Sequence, residues 1–455
     1  MNTNTIAAIA TGMTNSGIGI VRISGENALE VIDRIYRGKH KLSPQESHTI
    51  HYGHIFDEEL LVDEVLVSIM RAPKTYTGED TLDINCHGGM LVVQKVLETV
   101  LKNGAQMAEP GEFSKRAFLN GKMDLSKAEA VMDLIHAKSE YAYKNSQNQL
   151  SGGLKKKIKE CREKVLYEIA FIESALDDPE HITLEGYNEK LIQITRQLQE
   201  EIASMLASFE NGKIMKEGIK TVIVGKPNAG KSSLLNMLLG EERAIVTDIE
   251  GTTRDVLEES VNLGGIKLLL MDTAGIRKTK DTVEKIGVER ARTYAKEADF
   301  VLYVVDGTKP LDENDLEICE ILKEKKSLCL LNKMDLQMVI DEAEMKKHTQ
   351  GEVLSISAKE GIGMDTLAKK IKEYFFKKEI DFNDDIYITN VRHKNLLEQA
   401  YESMKLVEQS IQDQMPEDFY SIDLMSAYTS LGYILGEEVE DDLVEEIFSK
   451  FCMGK

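Results

Sequence analysis

The sequence has few cysteines, and their placement argues against two common uses of that residue. The five cysteines are odd in number, and no two of them have CxxC spacing: Cys86, Cys161, Cys319, Cys329 and Cys452. This pattern argues against a disulfide framework or a zinc site and indicates a reducing compartment. Cys452 is fourth from the end, the position of a prenylated cysteine. However, the residues after it lack the aliphatic pair and terminal residue of that signal, so we expect no prenyl anchor.

Long apolar runs are also missing. No window approaches the run of about 18 apolar residues that a membrane-spanning helix needs. The opening MNTNTIAAIATGMTNSG has neither a basic start nor a long apolar stretch, so we expect no secretory signal. A hydrophobic fraction of 42% and a charged fraction of 29% are typical of a globular protein with packed cores. Together these features predict a cytoplasmic protein with no membrane partner.

Basic residues are outnumbered, with 56 Lys and Arg against 78 Asp and Glu and a formal charge of −22. Strong, unaided binding to nucleic acid draws on cations that neutralise phosphates, so this composition disfavours it. The charge also disfavours anionic membranes. One local exception is LKKKIKECR, from Leu154 to Arg162, which is either a basic patch or a solvated helix face.

The length of 455 residues predicts about three domains, and three kinds of residue pattern occur along the chain. Residues 1–120 mix short β-rich runs with turn signals and predict an α+β domain. Residues 121–216 and 379–455 have apolar residues at helical spacing, with a break at Asp177-Asp178-Pro179, and predict the two parts of one all-α domain. Residues 217–378 alternate strands and helices and predict an α/β domain inserted between those parts.

The inserted segment contains five Val-, Ile- and Leu-rich runs, as expected of buried parallel strands. They are Lys220–Val224, Ile266–Met271, Phe300–Val305, Leu328–Leu331 and Val353–Ile356. Helical patterns lie between them, so the sequence predicts a doubly wound sheet.

Directly after the first of these strands comes GKPNAGKS, residues 225–232. Two glycines framing four residues and followed by Lys and Ser form a phosphate-binding loop, in which backbone N–H groups and a helix N-terminus surround an anion. Lys231 would place its charge on the β and γ phosphates, and the Ser232 hydroxyl would ligate Mg²⁺. The sequence therefore predicts a Ras-like P-loop domain.

Three further motifs follow later strands in the order of a GTP site. DTAG (272–275) supplies Asp272 for magnesium through water and the Gly275 amide for the γ phosphate. NKMD (332–335) supplies Asp335, whose carboxylate suits the N1–H and N2 amine of guanine and thereby selects GTP over ATP. SAK (357–359) would close over the base through an amide. These motifs predict a GTP-binding, GTP-hydrolysing domain.

The hydrolytic step needs a group other than the glutamine of many regulatory GTPases, because Ile276 follows the DTAG glycine. Asn228 and the carbonyls of residues 247–252 could enclose a monovalent cation near the β–γ bridge. A threonine of the segment 247–255 could reach magnesium, unless that segment is only a surface loop. Glu284 could orient water through a bridge, or could lie on a plain exposed helix.

Blocks along essentially the whole chain resemble the MnmE family of tRNA-modification GTPases, also called TrmE. They include GKPNAGKSSLLN, TDIEGTTRD, DTAGIR, NKMD, VRISG, TGED, CHGG, PGEFSKRAFLNGKMDLSKAEA, VEKIGVERA and the terminal FCMGK. The resemblance implies an N-terminal domain for homodimerisation and for a tetrahydrofolate derivative as one-carbon donor, held by Arg22, Glu79, Lys122 and Lys455. It also implies an FAD-dependent partner protein in a heterotetramer, and addition of an aminomethyl or carboxymethylaminomethyl group to the wobble uridine of certain tRNAs.

The resemblance further implies roles within the nucleotide site. G domains would meet across the dimer in a potassium-dependent transition state, with Glu284 as the catalytic glutamate. Potassium ligands would be Asn228, Thr247, Ile249 and Thr252, and magnesium ligands Ser232 and Thr253. Cys452 matches a terminal cysteine with either a catalytic or a structural role. With the motifs, the resemblance predicts as GTP-binding residues Asn228, Ala229, Gly230, Lys231, Ser232, Ser233, Thr247, Asp248, Ile249, Glu250, Gly251, Thr252, Thr253, Asp272, Thr273, Ala274, Gly275, Asn332, Lys333, Asp335, Ser357, Ala358 and Lys359.

A second hypothesis is a ribosome-assembly GTPase switch that binds rRNA, since such proteins share this kind of domain. They usually add an RNA-binding domain with a GxxG loop and a basic surface, or a second G domain. Here residues 381–455 are helical in pattern and acidic, and no second GxxxxGKS occurs.

Overall fold

The computed structural model describes residues 4–241, 259–271, 297–376, 387–437, 439 and 441–454. The chain divides into two compact units. One comprises Met1–Met132, Leu154–Thr183 and Glu417–Lys455, and the other comprises Asp133–Gly153 and Leu184–Pro416. The predicted domain boundaries at residues 120, 216 and 378 stay a prediction.

The first unit contains, in its described residues, a seven-stranded sheet in the order β3-β4-β5-β6-β2-β1-β7. Neighbouring strands are antiparallel except β1 and β7, which are parallel. The strands are β1 (Ile6–Ile9), β2 (Ile18–Ser24), β3 (Tyr36–Gly38), β4 (Thr49–Asp57), β5 (Leu60–Met70), β6 (Thr81–His87) and β7 (Gln106–Met107). Two helices, α1 (Ala28–Ile35) and α2 (Met90–Lys102), pack on one face of this sheet through a core that includes Val21, Ile32, Ile84 and Val96.

The other face of the same sheet carries exposed apolar side chains. Side chains alternate between the two faces of a strand, so Ile50 and Tyr52 of β4 share a face. Leu66 of β5 lies directly opposite Tyr52 in the pairing register. These three residues are 67%, 58% and 48% exposed. One face of the sheet is therefore the core, and part of the other presents hydrophobic surface.

The second unit contains, among its described residues, a six-stranded sheet in the order β13-β12-β11-β8-β10-β9. Its strands are β8 (Ile219–Val224), β9 (Glu259–Leu263), β10 (Ile266–Met271), β11 (Phe300–Asp306), β12 (Ser327–Asn332) and β13 (Glu352–Ser355). All are parallel except β9, which pairs antiparallel with β10. The five predicted strands are confirmed with bounds within one residue. The sequence reading missed β9, because its residues ESVNL are short and largely polar.

Helices cover both faces of this second sheet. Leu234 of α9 (Lys231–Glu241) and Leu367 of α12 (Met364–Phe375) contribute to the core on one face. Ile318 of α10 (Glu313–Leu322) and Met345 of α11 (Glu342–Met345) contribute to the core on the other. The chain moves from β8 to β10 on one side and then to β11 on the other. The carboxyl end of β8 is therefore a topological switch point, where ligands bind in open α/β sheets.

The remaining helices frame the α/β segment in the sequence. They are α3 (Glu112–Leu119), α4 (Leu125–Ile135), α5 (Glu140–Leu150), α6 (Gly153–Asp177), α7 (Tyr187–Ala207), α8 (Phe209–Glu217), α13 (Val391–Gln412), α14 (Glu417–Leu435) and α15 (Asp441–Ser449). The first long helix ends at Asp177, as Pro179 predicts. Helix α7, before the α/β segment, packs along α13, after it. This packing brings together the two chain ends of the α/β segment, as the predicted insertion requires. Within the described ranges, no helix combines the length and apolarity needed to cross a membrane.

Candidate nucleotide-binding site

The phosphate loop connects β8 to α9, and its two framing glycines are required by close packing. Gly225 has a φ of +147°, and a Cβ there would lie 2.2 Å from the carbonyl oxygen of Val304. Gly230 has a φ of +106°, and a Cβ there would lie 2.0 Å from Nδ2 of Asn332. No other residue type fits either position without moving the backbone of the neighbouring strand or the Asn332 side chain. The loop is thus held against β11 and the end of β12.

Lys231 begins α9 and turns its amine back towards the loop. Its Nζ donates hydrogen bonds to the carbonyl oxygens of Gly225 at 2.8 Å and of Lys226 at 2.7 Å. Burial lowers the pKa of Lys231 to about 8. A cation that is partly stripped of water, and that has no carboxylate partner among the described residues, gains strongly from a phosphate.

Asn332 at the end of β12 joins the phosphate loop to the segment after β13. Its Nδ2 donates to the carbonyl oxygen of Ala229 at 2.8 Å, and its Oδ1 accepts from the Ala358 N–H at 2.9 Å. The side chain is buried, as are both partner residues. The structure therefore brings together two of the predicted motifs through a third.

Asp335 and Ser357 lie at the adjoining edge of the sheet. The Ser357 hydroxyl donates to Asp335 Oδ1 at 2.6 Å, and this bond lowers the pKa of Asp335. The carboxylate is therefore ionised at neutral pH and oriented by a buried hydroxyl, while the residue itself is exposed. An oriented carboxylate of this kind can accept two N–H donors from a guanine edge. Lys359 also lies in this segment and is exposed.

Lys333 lies between Asn332 and Asp335 in the NKMD motif. It has a φ of +73°, and its side chain extends to the end of β11. Its Nζ lies 2.6 Å from Asp306 Oδ2. Although burial opposes ionisation, hydrogen bonds from Lys333 and Thr308 lower the pKa of Asp306 overall. The sequence reading did not identify Asp306, although its position at a strand end, like that of the motif residues, was a usable signal.

A second set of residues that sequence reasoning missed surrounds Lys226. Its Nζ contacts Asp312 Oδ2 at 2.7 Å and Asp315 Oδ2 at 2.6 Å. These carboxylates form the capping box at the start of α10. No signal in the phosphate-loop motif points to them, because the contact joins segments more than 80 residues apart.

Several predicted site residues lie outside the described residues, so the structure gives no geometry for them. They are Thr247, Asp248, Ile249, Glu250, Gly251, Thr252, Thr253, Asp272, Thr273, Ala274, Gly275, Glu284 and Lys455. Asn228, Ser232 and Ser233 are described, and Asn228 adopts a left-handed conformation with a φ of +63°.

The three described folate-site candidates lie in the first unit, near the turn before β6. Arg22 forms two hydrogen bonds with Asp83, at 2.8 and 2.9 Å. Glu79 accepts from Ser24 at 2.8 Å and from Arg116 at 3.1 Å. Lys122 follows α3; its Nζ donates to a backbone carbonyl of the segment before this turn. A Cβ on Gly78 would lie 3.4 Å from Cγ of Lys122. The acid of this set is thus held by partners, and both cations lie beside the turn that carries it.

Together, the doubly wound sheet, the phosphate loop at its switch point and the Asp335 carboxylate of the NKMD motif define a P-loop GTP-binding protein. Comparisons with known proteins narrow this class. The MnmE helical domain matches residues 125–452, and the GTP-binding protein TrmE N-terminus matches residues 5–122. The first match runs across the whole α/β segment, in agreement with an insertion.

Three full-length relatives carry the same name. The tRNA modification GTPase MnmE of Lachnoclostridium phytofermentans is 56% identical, and the alignment covers 100% of both chains. That of Clostridioides difficile is 48% identical over 99% of both chains, and that of Staphylococcus epidermidis is 46% identical over 100% of both. The chain belongs to the MnmE family of tRNA modification GTPases. The predicted family and the multidomain fold class, with an α+β N-terminal domain, an all-α domain and an inserted Ras-like α/β domain, are confirmed.

Proposed function

We propose that this protein is a potassium-dependent GTPase that acts with an FAD-dependent partner protein on the wobble uridine of certain tRNAs. The pair would add an aminomethyl or carboxymethylaminomethyl group, with GTP hydrolysis coupled to pairing of G domains. The observation that carries the proposal is the joined set of Lys231, Asn332 and Asp335 at the carboxyl edge of the second sheet. Full-length similarity to proteins named tRNA modification GTPase supports the choice of substrate.

Within this site the chain's own groups would bind and orient GTP. Backbone amides from Asn228 to Ser232 surround the phosphates, and Lys231 adds its charge. Asp335 accepts the N1–H and N2 amine of guanine. Adenine offers no equivalent pair of donors, so this carboxylate sets the base preference.

One carboxylate and two cations would serve the hydrolytic step. Glu284 is proposed to orient the attacking water through a bridge, since Ile276 cannot. Asn228, with Thr247, Ile249 and Thr252, would hold potassium, and Ser232 with Thr253 would hold magnesium. The side-chain amide of Asn228 and the hydroxyl of Ser232 supply oxygen ligands of the type that these hard cations prefer. Bound there, the cations would neutralise charge that develops at the β–γ bridge.

The N-terminal unit would bind a tetrahydrofolate derivative. Arg22 and Lys122 suit the carboxylates of a folate tail, and Glu79 suits the donor edge of a pterin, with Lys455 as a fourth contact. Glu79 fits such a role because Ser24 and Arg116 hold its carboxylate in place while the side chain stays part-exposed. Replacing Glu79 with Gln should weaken folate binding measured by calorimetry and leave GTP affinity unchanged.

A homodimer through the N-terminal unit is also proposed. The exposed apolar face around Ile50, Tyr52 and Leu66 supports it, since a contiguous apolar patch on a sheet is the kind of surface that partners cover. Tyr52→Arg should convert the dimer to a monomer in light scattering, whereas Lys347→Met, at an exposed site in the other unit, should not. A dimer unchanged by Tyr52→Arg would remove this face from the interface.

Deletion of the gene, followed by nucleoside analysis of bulk tRNA, tests the function. Loss of the modified wobble uridines is expected, and unchanged nucleosides would reject it. Equal hydrolysis in KCl and NaCl would reject the potassium dependence alone. The second hypothesis, a ribosome-assembly switch binding rRNA, predicts instead unchanged tRNA nucleosides with defective ribosomal subunits. The full-length family match does not favour it.

A further inference from the structure

Lys226, the first variable residue of the phosphate loop, points to helix α10. Its amine contacts one carboxylate that is half-exposed, on Asp312, and one that is buried, on Asp315. Tyr303 of β11 donates a hydrogen bond to the other oxygen of Asp315 at 2.9 Å. A chain of polar contacts thus runs from the second sheet through α10 to the phosphate loop.

The buried carboxylate of Asp315 makes this contact demanding. Asp315 is only 2% exposed, and its partners are the Lys226 amine, the Tyr303 hydroxyl and the Asp312 N–H. Removing one partner of a buried ion pair leaves an uncompensated charge, which is strongly destabilising. The position of Lys226 is therefore tightly determined.

That position constrains Asn228, two residues further along. Asn228 has a φ of +63°, a left-handed conformation that costs free energy in any residue with a Cβ. The carbonyl of Lys226 accepts hydrogen bonds from the Ala229 N–H at 3.3 Å and from Lys231 Nζ at 2.7 Å. The backbone is consequently fixed at Lys226 on one side of Asn228 and at Ala229 and Lys231 on the other. Strained residues persist where their surroundings over-determine them.

We propose that Lys226, held by Asp315 and Asp312, is a positioning residue that orients Asn228 towards the monovalent cation. This inference rests on the proposed function, in which Asn228 is a potassium ligand. The amine of Lys226 is engaged by Asp312 and Asp315, so it is not among the proposed ligands of the cation. Its loss should therefore raise the potassium requirement more than it weakens guanine nucleotide binding.

The test uses the full-length protein and measures GTP hydrolysis as a function of KCl, together with GDP affinity. Lys226→Met should raise the half-activating potassium concentration about fivefold or more, the factor set by the cost of a left-handed residue, with a smaller change in GDP affinity. Lys226→Arg, which keeps the charge and hydrogen bonds, should behave like the wild type. Lys347→Met removes a lysine from an exposed ion pair in the same unit and should change nothing.

Because Met leaves Asp315 without a counter-charge, the double variant Lys226→Met/Asp315→Asn carries the same test without a buried charge. If the half-activating potassium concentration rises by the same factor as GDP affinity falls, the role of Lys226 is merely structural and the inference is overturned. An unchanged potassium requirement in these variants, with a potassium-stimulated wild type, would overturn this inference alone. A wild type indifferent to potassium would overturn the proposed cation site and the inference with it.

Discussion

The pKa of Lys231 gives a sharp prediction about how GTP affinity depends on pH. Burial lowers this pKa to about 8 in the phosphate loop. The phosphates of a bound nucleotide would raise it well above that value, because opposite charges favour the charged form. Binding should then take up a proton, and affinity should fall as pH rises through about 8.

The size of the effect follows from the fraction of Lys231 that is charged before binding. With a pKa of about 8, roughly nine-tenths is protonated at pH 7 and roughly one-tenth at pH 9. We therefore expect the contribution of Lys231 to GTP affinity to fall about tenfold across this interval. At about pH 8, calorimetry in buffers of different ionisation enthalpy should detect uptake of roughly half a proton per nucleotide.

Lys231→Met is the matched control for this experiment. Guanine itself ionises near the upper end of the interval, and that effect is common to both proteins. The ratio of wild-type to Lys231→Met affinities isolates the lysine. A ratio that is the same at pH 7 and pH 9, with no proton uptake, would refute the reasoning.

The lowered pKa of Lys231 affects the stability of the nucleotide-free protein in the opposite direction to its effect on nucleotide affinity. Between about 8 and the ordinary value of 10.5, the unfolded chain binds more protons at Lys231 than the folded chain does. In this window, the free energy of unfolding without nucleotide should receive a contribution that rises with pH. Denaturant titrations should show this contribution in the wild type and not in Lys231→Met.

Three further predictions concern other parts of the site. Asp335→Asn should lower GTP affinity by about a hundredfold or more and favour xanthine nucleotides in competition assays, because the guanine donors lose their acceptor. Asn332→Ala should lower both the melting temperature and nucleotide affinity, since it leaves the buried Ala229 carbonyl and Ala358 N–H unpaired, at about 1–3 kcal/mol each. Glu284→Gln should reduce kcat by about 10²- to 10⁴-fold with little change in KM, as expected for a group that acts on the water.

Controls or contrary outcomes accompany these variants. Asp365→Asn removes an exposed carboxylate from α12 and should leave base preference unchanged. Asn332→Asp keeps the acceptor for Ala358, loses the donor to Ala229 and adds a charge at a buried position, so melting no lower than the wild type would contradict the bridging role. A large rise in KM for Glu284→Gln would point to binding instead of hydrolysis.

The sequence by itself was enough to predict the nucleotide site, because the predicted chemistry depends on local spacing. Gly225, Gly230 and Lys231 lie within one loop of eight residues, and Asp335 follows a strand that its apolar residues predict. Hydrophobic run and motif position were enough to place five parallel strands within one residue. Strand β9 was not predicted, because its short and largely polar sequence is held as a strand by pairing with β10 and not by a hydrophobic pattern of its own.

Tertiary structure alone decided which distant residues support that site. Asn332 was predicted as part of a motif, but its bridge between Ala229 and Ala358 appears only when β8, β12 and β13 lie side by side. The carboxylates that hold Lys226 come from α10, far along the chain. Such contacts depend on packing across a sheet, and the periodicity of any one segment does not encode them.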